Sequence, residues 1–230
     1  MQIITEKEQL KNYIIQNSIA PVNWFYRYCQ TECPETPIQE IEPDLFNRFF
    51  LYWLPKESKG INRGKTQALM QQIQLLCQSI YSQTGKNLPA IYEPIYLELG
   101  EELPRIIQMK YDLSRFVGYP IIDTDPLIID LISYKKQQAR KKDSTQGMIF
   151  EQGYFEVIDK VDQYGIILRK KWSQERYIKI LIDSSIRQQF RKQDILHMRL
   201  RRKLFFTTWE IEEIRGCYLP QAQRYFPSKI

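Results

Sequence analysis

Through Tyr154-Phe-Glu-Val-Ile-Asp-Lys-Val161 apolar and polar residues alternate with the two-residue period of a half-buried strand: Phe155, Val157 and Val161 share one face, Glu156 and Lys160 the other. Asp162-Gln-Tyr-Gly165 supplies turn chemistry, and Ile166-Ile-Leu-Arg-Lys-Lys-Trp172 resumes the extended pattern, so the two segments make a hairpin. A second turn at Ser173-Gln174 leads into a third strand, Arg176-Tyr-Ile-Lys-Ile-Leu-Ile182. The period then changes. Ser184 or Ser185 can cap a short helical turn through Ile186-Arg-Gln-Gln-Phe-Arg-Lys192, in which Ile186 and Phe190 lie one turn apart. Ile195, Met198 and Leu200 return to an extended pattern, followed by a strand from Leu204 to Ile214. Three strands, a helical turn and two more strands is the order of a five-stranded OB-like barrel, in which the helix plugs one end. An SH3-like barrel shares the strand count and is the alternative.

Upstream the period is helical. Thr5-Glu-Lys-Glu8 fits a capping box, and Leu10, Tyr13 and Ile14 follow on one face of a helix to about Asn17. Pro21 opens an aromatic helix through Val22-Asn-Trp-Phe-Tyr-Arg-Tyr-Cys29, whose rings are expected in a core. Ile41 to Leu54 reads as a helix with Pro43 in its first turn and a stop before Pro55. A longer helix spans about 66–84, with Leu69, Ile73, Leu76 and Ile80 as its stripe and Gly85 as C-cap. Pro89 and Pro94 bound or kink the next segment, Gly100 to Pro104 opens another helix, and Asp125-Pro126 starts a last one over Leu127–Tyr134. The chain therefore reads as α+β: a helical domain over 1–139, a linker over 140–152, a small β-barrel over 153–219 and a tail over 220–230.

Ile41-Glu-Pro-Asp-Leu-Phe-Asn-Arg-Phe-Phe-Leu-Tyr-Trp-Leu54, a basic loop, and a helix closing in Ile80-Tyr-Ser-Gln-Thr-Gly85 resemble the helical core-binding domain of tyrosine recombinases, over about residues 38–118. The resemblance implies a domain that clamps duplex DNA. His197, Arg201, Trp209 and Tyr218 also stand in the recombinase catalytic order. They fall in strand-like sequence, however, and no set of cations converging on a phosphate can be identified, so the catalytic assignment is not carried over.

Composition sharpens this picture in one respect. The net charge of +6 on 230 residues is unevenly spread. Residues 1–133 hold 12 Lys and Arg against 16 Asp and Glu, whereas residues 134–230 hold 21 against 11. Within the basic part, Lys135 to Lys142 end a helix, Lys170 and Lys171 end a strand, and Arg199, Arg201, Arg202 and Lys203 cross the turn between the last two strands, with Trp172, Tyr177, Phe205 and Phe206 as nearby rings. Cations with exposed rings are what single-strand binders use for phosphates and bases. The candidate nucleic-acid contacts are Lys170, Lys171, Arg199, Arg201, Arg202, Lys203, Trp172 and Tyr177.

Other chemistries find little. His197 is the only histidine, which leaves Cys29 and Cys33 without a second ligand pair for zinc, and Gly60 and Gly64 lack the strand and Lys-Ser/Thr of a phosphate loop. No catalytic residue, metal or cofactor is expected. The expected partner is single-stranded or duplex nucleic acid, with another protein as the alternative. With no apolar run near the ~20 residues of a membrane span, and no signal-peptide pattern at the start, a cytoplasmic protein without a membrane partner is expected.

Overall fold

A computed structural model describes residues 22–32, 41–117, 147–173 and 177–227. They separate into two compact units, one holding the helices up to Gln108 together with the C-terminal residues from Gln221, the other running from Met109 to Pro220. The expected helices over 5–17 and 127–134, and the basic run from Lys135 to Lys142, lie outside the described residues.

In the first unit α1 (Val22–Glu32) buries Phe25 and Tyr28 in the core and leaves Trp24 and Tyr26 half-buried. The next helix does not stop at Pro55. It runs as α2 (Pro43–Arg48), a π-helical turn (Phe49–Trp53) and α3 (Leu54–Glu57). Pro55 has no amide to give the carbonyl four residues back, and the chain widens so that the Leu54 amide reaches the Phe49 carbonyl instead. The widened turn carries Phe49, Phe50 and Trp53 into the core, where the Phe49 ring lies 5.0 Å from Phe25 and 5.2 Å from Tyr28. α4 (Arg63–Thr84) is fixed at both ends: Asn62 Oδ1 accepts from the Lys65 amide at 3.0 Å, and Gly85, at φ 74°, closes it in the left-handed region. α5 (Leu88–Leu99) carries Pro89 in its first turn and Pro94 inside, and the buried Tyr92 hydroxyl donates to the Met70 carbonyl of α4 at 2.8 Å. α6 (Glu102–Phe116) follows. The C-terminal residues are more than a tail: Pro220–Tyr225 forms a 3-10 turn, Ala222 and Phe226 are buried, and the Tyr225 hydroxyl donates to Asp44 at 2.6 Å.

The second unit is the barrel. Its strands are β1 (Met148–Val161), β2 (Gly165–Lys170), β3 (Tyr177–Leu181), β4 (Ile195–Lys203) and β5 (Thr208–Tyr218). They close in the order β1-β2-β3-β5-β4, with β1 also paired to β4. β3 and β5 run parallel, and the other neighbours are antiparallel. α7 (Ser184–Gln189) lies between β3 and β4 and buries Ile186, with Phe190 buried just beyond it. A helix in that position and a parallel β3–β5 closure are OB-like; an SH3-like barrel has neither.

Three local readings change. α7 is capped by Asp183, whose carboxylate accepts from the Ser185 amide at 2.8 Å, not by Ser184 or Ser185. β1 starts at Met148, upstream of Gly153, because Gly153 at φ 144° bends the strand without ending it. Leu204 to Thr207 form the β4–β5 turn, while Arg199 to Lys203, expected in it, belong to β4, and the last strand begins at Thr208.

The barrel interior is lined by alternate strand residues: Phe155 and Val157, Ile166 and Leu168, Ile178 and Ile180, and Leu196, Met198 and Leu200 all point inward and are buried. Across from His197 sits Gly216 on β5, where a Cβ would overlap the buried Tyr218 ring. Gly216→Ala is therefore expected to lower stability by about 1–3 kcal/mol through overpacking, read as a lower urea midpoint at unchanged slope.

Candidate nucleic-acid interface

Strand alternation decides which cations leave the barrel. With Leu196, Met198 and Leu200 inward, His197, Arg199 and Arg201 face outward along β4. On β1 the outward row is Phe150, Gln152, Tyr154 and Glu156, and on β2 and β3 it is Ile167 and Arg169 beside Lys179 and Tyr177.

Outward does not mean unpartnered. Arg199 Nε lies 2.8 Å from Glu212, with its guanidinium 4.7 Å from the Phe150 ring centre, and Arg201 Nε lies 3.1 Å from Glu210. Lys170 Nζ reaches Glu151 at 2.7 Å, and Lys171 Nζ reaches Glu156 at 3.3 Å. Arg202 donates through Nη1 to the Phe206 carbonyl at 2.8 Å and the Leu204 carbonyl at 3.3 Å, and its guanidinium lies 4.9 Å from the Trp209 ring centre. Lys203 Nζ stands 5.7 Å from the Phe206 ring. The described barrel residues, 147–173 and 177–219, hold 13 Lys and Arg against 9 Asp and Glu, so much of the basic excess lies elsewhere in the C-terminal part.

The expected contacts fall into two groups. Around Tyr154 are Lys170, Lys171 and Trp172, with Arg199 further along β4 over Phe150: Trp172 is 40% exposed at φ 57° and meets the Tyr154 ring edge-on at 5.5 Å, and His197 stacks on that ring at 4.3 Å and 16°. His197 is thus a packing partner of Tyr154 on a strand. The second group is at the β4–β5 turn, with Arg201, Arg202 and Lys203. Tyr177, 56% exposed, belongs to β3 and pairs directly with Arg169.

Several surface residues on this side were not among the expected contacts. Leu204, Phe205 and Phe206 project from the β4–β5 turn, Tyr164 from the β1–β2 turn, and Leu181 from the end of β3, all exposed. Read as strand, Leu204-Phe-Phe-Thr-Thr hides its turn; the break in alternation directly after a basic run was the available signal. The β1–β2 turn itself is rigid. Asp162 at φ 48° accepts from the Gly165 amide at 2.8 Å and the Tyr164 amide at 3.2 Å, and from Lys179 at 2.7 Å. The Lys179 bond, with the turn amides, holds the Asp162 carboxyl below its usual range.

Among the described residues no group of three or more His, Cys, Asp or Glu could hold a metal ion, and Cys33 lies outside them. No helix among them is long and apolar enough to cross a membrane. No protein-family model, characterised protein or solved structure matches the chain significantly.

Glu156 is the hub of the cation cluster on β2. Burial pushes its carboxyl up, but hydrogen bonds from Arg169 at 2.9 Å and from Lys171, with their charges, outweigh this and hold it below the ordinary glutamate value. A carboxyl depressed by folding adds stability above its unfolded value and loses it as pH falls through the folded one. Glu156→Gln is expected to cost roughly 1 kcal/mol at neutral pH. In urea titrations the gap between wild type and variant should close as pH drops below the ordinary glutamate range.

Proposed function

We propose that the barrel is a non-enzymatic binder of single-stranded nucleic acid, acting through the β2–β3 face and the two turns that bound it. The observation that carries this reading is Tyr177, a largely exposed ring placed by strand pairing beside Arg169 and two residues from Lys179. On an OB-like barrel that is the face, and the β1–β2 and β4–β5 turns are the loops, that suit an extended oligonucleotide. An exposed ring stacks on an unpaired base and finds no such partner inside a duplex, which favours single strands. The cations add phosphate attraction, reduced because Arg169, Lys179, Arg199 and Arg201 already face carboxylates.

That same ion pairing favours a second reading, a protein–protein adaptor in which the exposed apolar turn, and not the charge, makes the contact. The two readings separate in one titration. Full-length protein is added to fluorescently labelled single-stranded and duplex oligonucleotides at several salt concentrations, and anisotropy is followed. Single strands should bind, more weakly as salt rises, and Tyr177→Ala should weaken binding about tenfold at a stacking contribution of about 1–3 kcal/mol per base. Stronger binding to duplex would move the activity to the helical unit, as the recombinase resemblance implies. Absence of binding to either at low salt would leave the adaptor.

A further inference from the structure

We infer that the β4–β5 turn is a preformed stacking element for unpaired bases, and that Arg202 is its positioning residue and not a phosphate ligand. The inference rests on the single-strand reading and assigns parts within it. Phe205 is 92% exposed, and Leu204 and Phe206 beside it are exposed as well. Three consecutive apolar side chains in water would gain by folding back onto the barrel. The backbone of this turn prevents that. The Leu204 amide donates to the Gly147 carbonyl at 3.0 Å, and the Phe206 amide donates to the Lys203 carbonyl at 3.0 Å. Arg202 Nη1 then ties down the carbonyls of both Leu204 and Phe206.

The brace has a firm base. The Arg202 guanidinium packs over the ring of Trp209, which is itself buried, and its Nε is shielded from solvent. Nη1 alone serves both carbonyls while the flat guanidinium lies over the indole; an ammonium group could donate to the carbonyls but has no planar face to lay on Trp209. Little of Arg202 is left for a phosphate. The turn is also well placed, because the parallel pair Lys179↔Thr208 puts Phe206 and Tyr177 at equal distance along their chains, each two residues earlier. An oligonucleotide following β3 would thus run onto the turn, whose backbone is already held before binding.

The test uses the full chain, a labelled oligothymidylate, and the variants Phe205→Ala, Arg202→Ala and Arg202→Lys. Affinity, its salt dependence, and amide hydrogen exchange across 203–208 of the free protein are measured. Phe205→Ala should weaken binding about tenfold with the salt slope unchanged. Arg202→Lys should be nearly as weak as Arg202→Ala, again at unchanged slope, and both should speed exchange of the turn amides. Recovery of wild-type affinity by Arg202→Lys would overturn the assignment, as would a slope shallower by about 0.7 in Arg202→Ala, the signature of one lost phosphate contact on a single strand. Unchanged amide exchange would remove the brace. Should wild type not bind oligothymidylate, the single-strand reading fails and the stacking role with it, and faster exchange in the variants would then leave Arg202 as a turn brace alone.

Discussion

The barrel depends on one strand serving two neighbours. β1 pairs with β4 over Met148–Glu156 and with β2 over Phe155–Val161, so it must turn a corner without losing its inward row. Two departures from regular strand geometry allow this: Gly153 at a positive φ, and a register shift between Val157 and Asp159. With the corner made, β2 and β3 follow as a meander, and the parallel β3–β5 contact closes the ring. Closure gives each of the five strands a partner on both sides, which matters for a surface this rich in exposed rings. It also fixes the order of the outer face, so that Arg169, Tyr177, Lys179 and the β4–β5 turn meet on one side.

Strand pairing also sets the electrostatics. Arg201 lies opposite Glu210 on β5, Arg199 opposite Glu213 and next to Glu212, and Arg169 opposite Glu156 on β1. In the linear sequence the cations of β4 form a run, and so do Glu210, Glu212 and Glu213; folding interleaves the two runs. Charge that looks like a patch in one dimension becomes a set of pairs in three. The two cations at the end of β4 differ again, since Arg202 is spent on backbone carbonyls and Lys203 stands over a ring.

Features written in single segments were legible from the sequence. Alternation located Phe155 and Val157 on β1, the apolar positions of β3 and β4 included the buried Ile178, Ile180, Met198 and Leu200, helical spacing located Leu69, Ile73, Leu76 and Ile80, and the cap at Gly85 was where its chemistry demanded. What was not legible depended on partners distant in the chain. Gly153 reads as a boundary unless β4 is known to lie alongside it. Pro55 reads as a helix stop unless the preceding turn can widen, which the aromatic core favours by burying Phe49, Phe50 and Trp53. Leu204 reads as strand because a turn exposing three apolar residues runs against the expectation that turns are polar. The roles of the candidate contacts were hidden for the same reason, because a lysine's or arginine's residual affinity for phosphate is set by the carboxylate opposite it.

This bears on how such a surface would bind. A phosphate approaching Arg199 or Arg201 must displace Glu212 or Glu210, so it gains only the difference between two charge-assisted contacts, each modest where water screens it. A base approaching Tyr177 or Phe205 meets ring surface that is already exposed to water. In the proposed complex net charge would guide encounter, while the exposed rings would supply most of what holds it. A face built this way, if it binds nucleic acid as proposed, would discriminate by whether bases are accessible more than by how many phosphates pass over it.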